Sequence, residues 1–335
     1  MKTIFVPGGA GYVGSVLVPL LLEKGHAVRV LDWYLYGEEA LDSVRGHERL
    51  TEIKGDIRDT DLVRRVAEGA DAVIHLACIS NDPSVDLDPE LARSVNFDSF
   101  RPLVKICKAS GVRRFIFASS AAIYGPSDAS EVTEAHPLNP ITDYNRFKMF
   151  CEEALWQETS PGFTTVSVRP ATICGYAPRM RLDLVVNILT NHAVNRDRIT
   201  VLGGRQRRPN IHITDIAGLY LFLLECPAGK ISGKVFNAGH SNLFVLELAE
   251  KIRGVVGKRL PDKRNIPIEV IPNDDRRSYH ISSDLLKREL GFVPKRTPEY
   301  AIHEILDAFE AGKIPHPLED DRYYNDRMMK ATAIK

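Results

Sequence analysis

The sequence predicts an α/β fold, in which a doubly wound parallel sheet is followed by a smaller carboxyl-terminal α/β lobe. Short apolar segments alternate with segments of helical period through the first half of the chain, as expected for parallel strands joined by helices. A glycine-rich turn follows the first apolar segment, and the alternation becomes irregular after residue 170. The 335 residues are enough for about two domains of ordinary size.

The first half supplies the elements of the predicted sheet. We expect strands at residues 2–6, 27–31, 50–54, 72–75, 114–118 and 164–168, with helices at 12–24, 59–68, 91–110 and 142–158 between them. Further helices are expected at 182–194, 215–225, 243–256 and 298–311. The predicted organisation is a first domain of residues 1–170, a second lobe of residues 171–315 with chain crossing between the two, and a polar tail at 316–335 that forms an arm or a frayed end.

Composition argues against several classes of protein. The 44 Lys and Arg residues balance the 44 Asp and Glu residues, whereas a nucleic-acid-binding domain normally carries a basic excess. The five cysteines are widely spaced, with no C-x-x-C pair, which argues against a zinc site or a disulfide framework. No apolar run approaches the roughly 18 residues that span a bilayer. We therefore expect a cytoplasmic protein with no metal, nucleic-acid or membrane partner.

The glycine-rich turn is the first candidate binding site. Gly8, Gly11 and Gly14 follow the first predicted strand with the spacing G-x-x-G-x-x-G, and an apolar helix comes next. Glycine lets the backbone turn tightly and approach a pyrophosphate, while the helix N-terminus offers free N–H groups and a positive dipole. Glycine also occurs in ordinary turns, but its position at the first strand–helix crossover favours a Rossmann-type dinucleotide site.

Two acidic residues follow the next two strands. Asp32 comes 18 residues after Gly14, near the point where a carboxylate receives the hydroxyl groups of an adenosine ribose. A carboxylate there repels the 2′-phosphate of NADP, so NAD is the expected cofactor; a surface loop position is the alternative for Asp32. Asp56 follows the third strand, where the adenine ring would lie, and Asp59 is suited to cap the following helix.

Candidate catalytic residues lie near the middle of the chain. Tyr144 and Lys148 are four residues apart, on one face of a predicted helix. An ammonium about 4 Å from a phenol in an effective dielectric near 20 is worth roughly 4 kcal/mol, so we expect Lys148 to lower the pKa of Tyr144 by about three units, towards 7. Ser120 follows the strand at 114–118, at the carboxyl end of the sheet, and can hydrogen-bond a substrate hydroxyl. An exposed helix with an unrelated Tyr/Lys pair is the alternative.

Together these motifs closely resemble the extended short-chain dehydrogenase/reductase family, and within it the NAD-dependent nucleotide-sugar epimerase/dehydratase group. The resemblance covers at least residues 2–310; Pro7 departs from it, since the family usually has Thr there. It implies bound NAD, with Lys148 also holding the nicotinamide ribose, and a homodimer formed through the helix before the fifth strand and the Tyr/Lys helix. The cofactor contacts that it implies are Gly8, Gly11, Tyr12, Val13, Gly14, Asp32, Asp56, Ile57, Leu76, Ala77, Asn96, Ser119, Tyr144, Lys148 and Pro170.

The same resemblance places a nucleotide-diphosphate sugar in the second lobe. Arg208, in the segment 205–212, and Arg277, in the segment 276–279, match the positions that contact the diphosphate, and planar guanidinium groups suit phosphate oxygens. The segment 177–187 looks like the corresponding stretch of GDP-heptose 4-dehydrogenases. Its Arg181 and Asn187 are candidate contacts to nucleotide or phosphate, with a position in solvent as the alternative for the arginine.

The expected chemistry is oxidation at the sugar 4-position, with Tyr144 as proton acceptor and Ser120 orienting the oxygen. Related 4,6-dehydratases carry an Asp-Glu pair directly after the catalytic hydroxyl, whereas this chain has Ala121-Ala122, so dehydration is disfavoured. Return of the hydride to the other face gives an epimerase, which we favour. Separate reoxidation of the cofactor gives a 4-dehydrogenase or ketoreductase, for example on a GDP-heptose. A non-catalytic dinucleotide-binding sensor or structural protein is the alternative from another class.

Overall fold

The centre of the protein is a seven-stranded parallel sheet, seen in a computed structural model that describes residues 1–273 and 278–332. The strands of the chain are β1 (Thr3–Pro7), β2 (Ala27–Asp32), β3 (Leu50–Lys54), β4 (Ala72–His75), β5 (Arg114–Ala118), β6 (Thr164–Pro170), β7 (Thr172–Cys174), β8 (Ile199–Leu202), β9 (Arg207–His212), β10 (Lys234–Ala238), β11 (Ser241–Phe244) and β12 (Ile268–Ile271). The central sheet has the order β10-β6-β5-β4-β1-β2-β3 with every pair parallel. The order reverses between β1 and β4, the switch point at which such sheets bind ligands. The predicted fold class is confirmed.

Helices cover both faces of this sheet. They are α1 (Gly14–Glu23), α2 (Thr60–Ala67), α3 (Asp82–Leu87), α4 (Pro89–Arg93), α5 (Phe100–Ala109), α6 (Asp143–Glu158), α7 (Val185–Asn195), α8 (Ile213–Glu225), α9 (Ala228–Ile231), α10 (Val245–Arg259), α11 (Asp284–Leu290), α12 (Pro298–Glu310) and α13 (Asn325–Ala331). Helices α1 and α8 pack side by side on one face, and α2, α5 and α6 pack on the other. The helix predicted at 91–110 is interrupted, because a π-helical turn at Ser94–Asp98 separates α4 from α5.

Strand β1 shows why the sheet is buried on both faces. Ile4 and Val6 belong to the core cluster that contains Leu17 of α1, whereas Phe5 belongs to the cluster beneath α5. Successive side chains of a strand point to opposite faces, so an uninterrupted apolar segment is needed when helices cover both of them. The continuous apolar pattern that predicts the strand is therefore the pattern that the packing requires.

The second lobe is smaller and has its own core. Strands β7, β9 and β11 form a three-stranded sheet, and β8 pairs with β12 in parallel. Helices α7, α10 and α12 pack around a cluster of buried side chains that includes Val186, Leu248 and Ile302. Strand β10 leaves this lobe and pairs with β6 at the edge of the central sheet, so residues 234–238 complete the first domain.

The end of the chain is packed rather than frayed. Residues 316–332 run back across the molecule, and α13 lies against α3. Met329 joins the core cluster that contains Phe100, and the Asn325 side chain is buried. Our expectation of a polar arm or frayed end was therefore wrong for the described part of the tail.

A buried hydrogen-bonded junction built on Asn187 joins the two lobes. The Tyr12 hydroxyl, at the start of the first domain, donates to the Gly175 carbonyl at 2.6 Å. The Asn187 amide donates to the Tyr12 hydroxyl at 3.0 Å and to the Arg181 carbonyl at 2.8 Å, and its oxygen accepts from Gly175 N at 3.1 Å. Asn187 therefore fixes the segment 175–181 against the N-terminal end of α1.

We expect Asn187→Leu to lower the free energy of unfolding by about 2–4 kcal/mol, because it leaves the Gly175 N–H and the Arg181 carbonyl buried without partners. Urea unfolding of the two proteins measures the difference. Asn265→Leu, at an exposed loop position, is the matched control and should change stability by about 0.5 kcal/mol or less. Equal losses in the two variants would contradict the role of the junction.

Candidate active site

A single groove runs along the carboxyl edge of the central sheet and continues between the two lobes. Its volume is about 690 Å³, and its walls come from both halves of the chain. One end contains the glycine turn and the residues after β2; the other reaches β8 and β9 of the second lobe. This is the position in which a doubly wound sheet binds its ligand.

Close backbone contacts at the glycine turn form the floor of the groove. A Cβ atom on Gly8 would lie 2.4 Å from the backbone nitrogen of Ala77, and Gly8 has a φ of +79°. Only glycine therefore lets the turn after β1 touch the loop after β4. Within the described chain, the N–H groups of Tyr12, Val13 and Gly14 have no acceptor, so they are available at the N-terminus of α1.

Asp32 lies beside this turn, at the end of β2. Its two carboxylate oxygens accept hydrogen bonds from Ala10 N and Tyr34 N, both at 2.9 Å, and the residue lines the groove. Burial raises the pKa of the Asp32 carboxyl, and the two backbone hydrogen bonds oppose that rise. The carboxylate is thus fixed at the place where a ribose would present its hydroxyl groups.

Three other residues with implied cofactor contacts lie in different surroundings. Asp56 is bound by the Arg58 side chain, with Nη2–Oδ2 at 2.7 Å, while its neighbour Ile57 lines the groove. The Asn96 side chain forms two hydrogen bonds with the backbone of Ile79, at 2.8 and 2.9 Å, and so holds the loop after β4. Ser119 is buried, and its hydroxyl has no partner in the described structure. Of the three, only Ser119 lies on the groove wall, together with the implied contacts Leu76, Ala77 and Pro170.

The three candidate catalytic residues lie together on the groove wall. Ser120 follows β5 and caps a short 3₁₀ turn, where its hydroxyl oxygen accepts from Ala122 N at 3.1 Å. Tyr144 and Lys148 lie on α6, which the Thr142 hydroxyl caps. The Lys148 ammonium donates to the Ala118 carbonyl at 2.7 Å and lies 5.9 Å from the centroid of the Tyr144 ring.

The acidity of Tyr144 differs from our expectation. Burial raises the pKa of its phenol well above the ordinary value, nearby Cys78 and Asp82 raise it further, and Arg181 lowers it. Our prediction that Lys148 lowers this pKa towards 7 was wrong for the protein alone, because the cost of burying a phenolate exceeds the attraction of the ammonium. The phenol is therefore protonated at neutral pH in this state.

The loop after β4 contributes residues to the groove that the sequence analysis did not assign. Cys78, Asn81 and Asp82 line the groove near Tyr144, and Asp82 accepts a hydrogen bond from the Thr142 hydroxyl at 2.7 Å. Asn81 donates to Asp183 at 2.9 Å, which links this loop to the second lobe. The polar residues 80–82, a few positions after a buried strand, were the signal for this loop.

Two of the four predicted substrate residues line the groove. Arg208 lies on β9 and lines the groove, with its guanidinium 5.7 Å from the centroid of the Tyr279 ring. Arg181 also lines the groove and forms an ion pair with Asp183 at 2.8 Å. Asn187 lies outside the groove wall, since its side chain is fully buried in the lobe junction. Arg277 lies outside the described residues.

Comparison with known proteins identifies the family. The model of the NAD-dependent epimerase/dehydratase family matches residues 4–239. The chain belongs to this family. It is 30% identical to the UDP-glucose 4-epimerase of Corynebacterium glutamicum over 92% of this chain and 96% of that protein. A structure of UDP-N-acetylglucosamine 4-epimerase from Methanobrevibacter ruminantium superimposes with a TM-score of 0.81 at 25% identity, covering 92% of this chain and 98% of that one.

A second solved structure shows the same fold at lower identity. It is dTDP-glucose 4,6-dehydratase from Streptomyces venezuelae, which superimposes with a TM-score of 0.83 at 22% identity and covers 95% of this chain and 100% of that one.

The groove of this family member fits NAD. The unpaired N–H groups of the α1 N-terminus suit a pyrophosphate, the glycine turn leaves room for it, and the fixed Asp32 carboxylate suits a ribose. None of the helices that the structure describes has the length and apolar composition needed to cross a bilayer. In the same residues, no group of three or more His, Cys, Asp or Glu side chains is arranged to hold a metal ion.

We expect Gly8→Ala to abolish NAD binding and to destabilise the protein by about 2–5 kcal/mol, since strain at positive φ adds to a clash with the Ala77 backbone. Quenching of Trp33, which lines the groove, reports binding, and urea unfolding reports stability. Gly69→Ala is the matched control: Gly69 has a φ of +70° but no atom within 4 Å of a new Cβ. Loss of NAD binding in the control would show that backbone strain alone explains the effect.

Proposed function

We propose that the chain is an NAD-dependent nucleotide-sugar 4-epimerase. One observation carries the proposal: Tyr144, Lys148 and Ser120 line the same groove as the glycine turn and Asp32. A proton acceptor, a hydrogen-bonding hydroxyl and a dinucleotide site are thereby combined at one edge of the sheet. The relationship to a UDP-glucose 4-epimerase over nearly the whole chain supports the same activity.

The mechanism follows from the placement of these side chains. Tyr144 accepts the proton of the sugar 4-hydroxyl, while Ser120 hydrogen-bonds the same oxygen and holds it in place. Lys148, fixed by the Ala118 carbonyl, provides a positive charge near the phenol and favours its ionised form. Bound NAD supplies a hydride acceptor and a positively charged ring. The hydride of C4 would pass to NAD held by the glycine turn and Asp32 and return to the opposite face once the 4-keto sugar has rotated in the groove, and Tyr144 would return the proton to the same oxygen.

The residues after Ser120 argue against dehydration. Ala122 lines the groove, and Ala121 is fully buried in the core. An alanine cannot donate or accept a proton, so neither position supplies the acid or the base that elimination of water requires. These two positions therefore favour oxidation and reduction at the sugar over elimination of water.

Enclosure of the groove favours epimerisation over net oxidation. Arg179, Asp183 and Asn325, all from the second half of the chain, line the groove together with Asp32 of the first domain. These three side chains are buried or nearly so, and they line the same groove as the glycine turn. A cofactor held in this way suits a reaction that regenerates NAD in every cycle.

We expect Tyr144→Phe to lower kcat by about 10²–10⁴-fold, because it removes the proton acceptor but not the groove. NAD affinity and thermal stability should change little. The assay follows interconversion of epimers for UDP-, GDP-, CDP- and dTDP-sugars, after a thermal-shift screen has shown which of them bind. Full activity in the variant would contradict the role of Tyr144 as proton acceptor. Steady accumulation of NADH by the wild type would instead identify a dehydrogenase.

We also propose a homodimer in the cytoplasm, formed through α5 and α6. Phe150 projects from α6 with 37% exposure, a large value for an apolar side chain, and its ring centroid lies 5.5 Å from that of Phe97. Phe97 and Phe147 extend this patch, with their rings stacked at 6.2 Å. Helix pairing across a two-fold axis would cover the patch.

We expect Phe150→Glu to convert the dimer to a monomer, because it places a charge at the centre of the apolar patch. Sedimentation velocity measures the change. Phe222→Glu on α8 is the matched control, since Phe222 is 36% exposed but lies on the other face of the sheet. A monomeric wild type would contradict the proposed interface.

A further inference from the structure

Arg179 is a buried cation in the wall of the dinucleotide end of the groove. The residue is only 5% exposed, and its Nε atom has no hydrogen-bond partner within the described structure. The guanidinium lies 3.8 Å from the centroid of the Tyr36 ring, in the loop that follows β2. Sequence analysis did not assign this residue, although it lies in the segment 177–187.

No carboxylate forms a hydrogen bond with Arg179 in the described chain. Its Nη2 donates to the Asn325 side-chain oxygen at 2.5 Å, whereas the adjacent Arg181 forms a full ion pair with Asp183. Burial lowers the pKa of Arg179 to about 10, so the group remains charged at neutral pH. The Asp32 and Asp183 carboxylates attract this charge, but neither forms an ion pair with it in the described chain. A buried cation whose hydrogen-bond partner is neutral is costly, and an anion that binds beside it would offset this cost.

The position of Arg179 indicates which anion this is. Its backbone N–H donates to the Ser15 hydroxyl at 3.4 Å, which puts the residue next to the first turn of α1. The unpaired N–H groups of Tyr12, Val13 and Gly14 lie at the same helix end. This end of the groove therefore combines backbone donors with a guanidinium, a pair suited to two linked phosphates.

We propose that Arg179 binds the pyrophosphate of the dinucleotide and that Asn325, from the C-terminal helix, holds the guanidinium in position. The inference rests on the proposed NAD-dependent function and adds a cofactor contact from the second half of the chain. Asn325 is suited to this task because its amide also donates to the Ser80 side chain at 2.8 Å, and its own N–H donates to Asp183. Asp32 argues against a 2′-phosphate as the anion, since a carboxylate repels it.

The test measures ligand affinity of the purified protein by calorimetry. Arg179→Met keeps an apolar side chain against Tyr36 and removes the charge. We expect this variant to bind NAD and ADP-ribose about 10- to 100-fold more weakly, while its affinity for adenosine stays the same. Asn325→Asp places a carboxylate next to the guanidinium, where it competes with the pyrophosphate. We expect this variant to bind NAD about tenfold more weakly. Arg322→Met, at an exposed arginine in the same C-terminal segment, is the matched control and should bind NAD like the wild type.

Each outcome separates the inference from the function on which it rests. Wild-type protein that binds neither NAD nor ADP-ribose overturns the proposed function. Wild-type binding together with unchanged NAD affinity in Arg179→Met overturns the role of Arg179 alone. Equal weakening of ADP-ribose and adenosine would show a structural effect and also overturns it. Weakening of NADP but not of NAD would assign the guanidinium to a 2′-phosphate, which contradicts the proposal.

Discussion

The active-site groove depends on the buried junction of Tyr12, Asn187 and Gly175. Neither lobe contains a complete site: the glycine turn, Asp32, Ser120 and Tyr144 belong to the first domain, and Arg179, Arg181 and Arg208 to the second. The junction fixes the segment 175–181 against α1 through hydrogen bonds that water cannot replace, because all three residues are buried. A small shift of this junction would move the segment 175–181 relative to α1, and with it the guanidinium of Arg179.

Burial also controls when the site becomes reactive. The phenol of Tyr144 is shielded from water and remains protonated in the protein alone, because low polarity disfavours its anion. Positive charge is then the factor that can favour ionisation: Arg181 lowers the pKa of the phenol, and the Lys148 ammonium lies 5.9 Å from the centroid of its ring. In the proposed mechanism, bound NAD would add a further positive charge beside this phenol.

Sequence patterns predicted the elements whose causes are local. Parallel strands follow from apolar segments, and the glycine turn follows from spacing, because backbone geometry at Gly8 admits no side chain. Asn187 and Asn96 were expected to contact ligands, because an amide side chain can hydrogen-bond a ligand or the protein equally well. Only the fold shows that their hydrogen bonds are made within the protein. The contact between Arg179 and Asn325 joins residues 146 positions apart, so no local pattern could reveal it. The packed tail escaped prediction because its polar sequence has few apolar positions.

The route of the chain through the central sheet constrains how the protein is made. Strand β10 pairs with β6 although 63 residues separate the end of β6 from the start of β10. During synthesis, the backbone edge of β6 is complete well before its partner leaves the ribosome. That edge is a template for pairing with any extended chain nearby, including another nascent copy. That edge therefore stays without its partner strand until the second lobe has been translated.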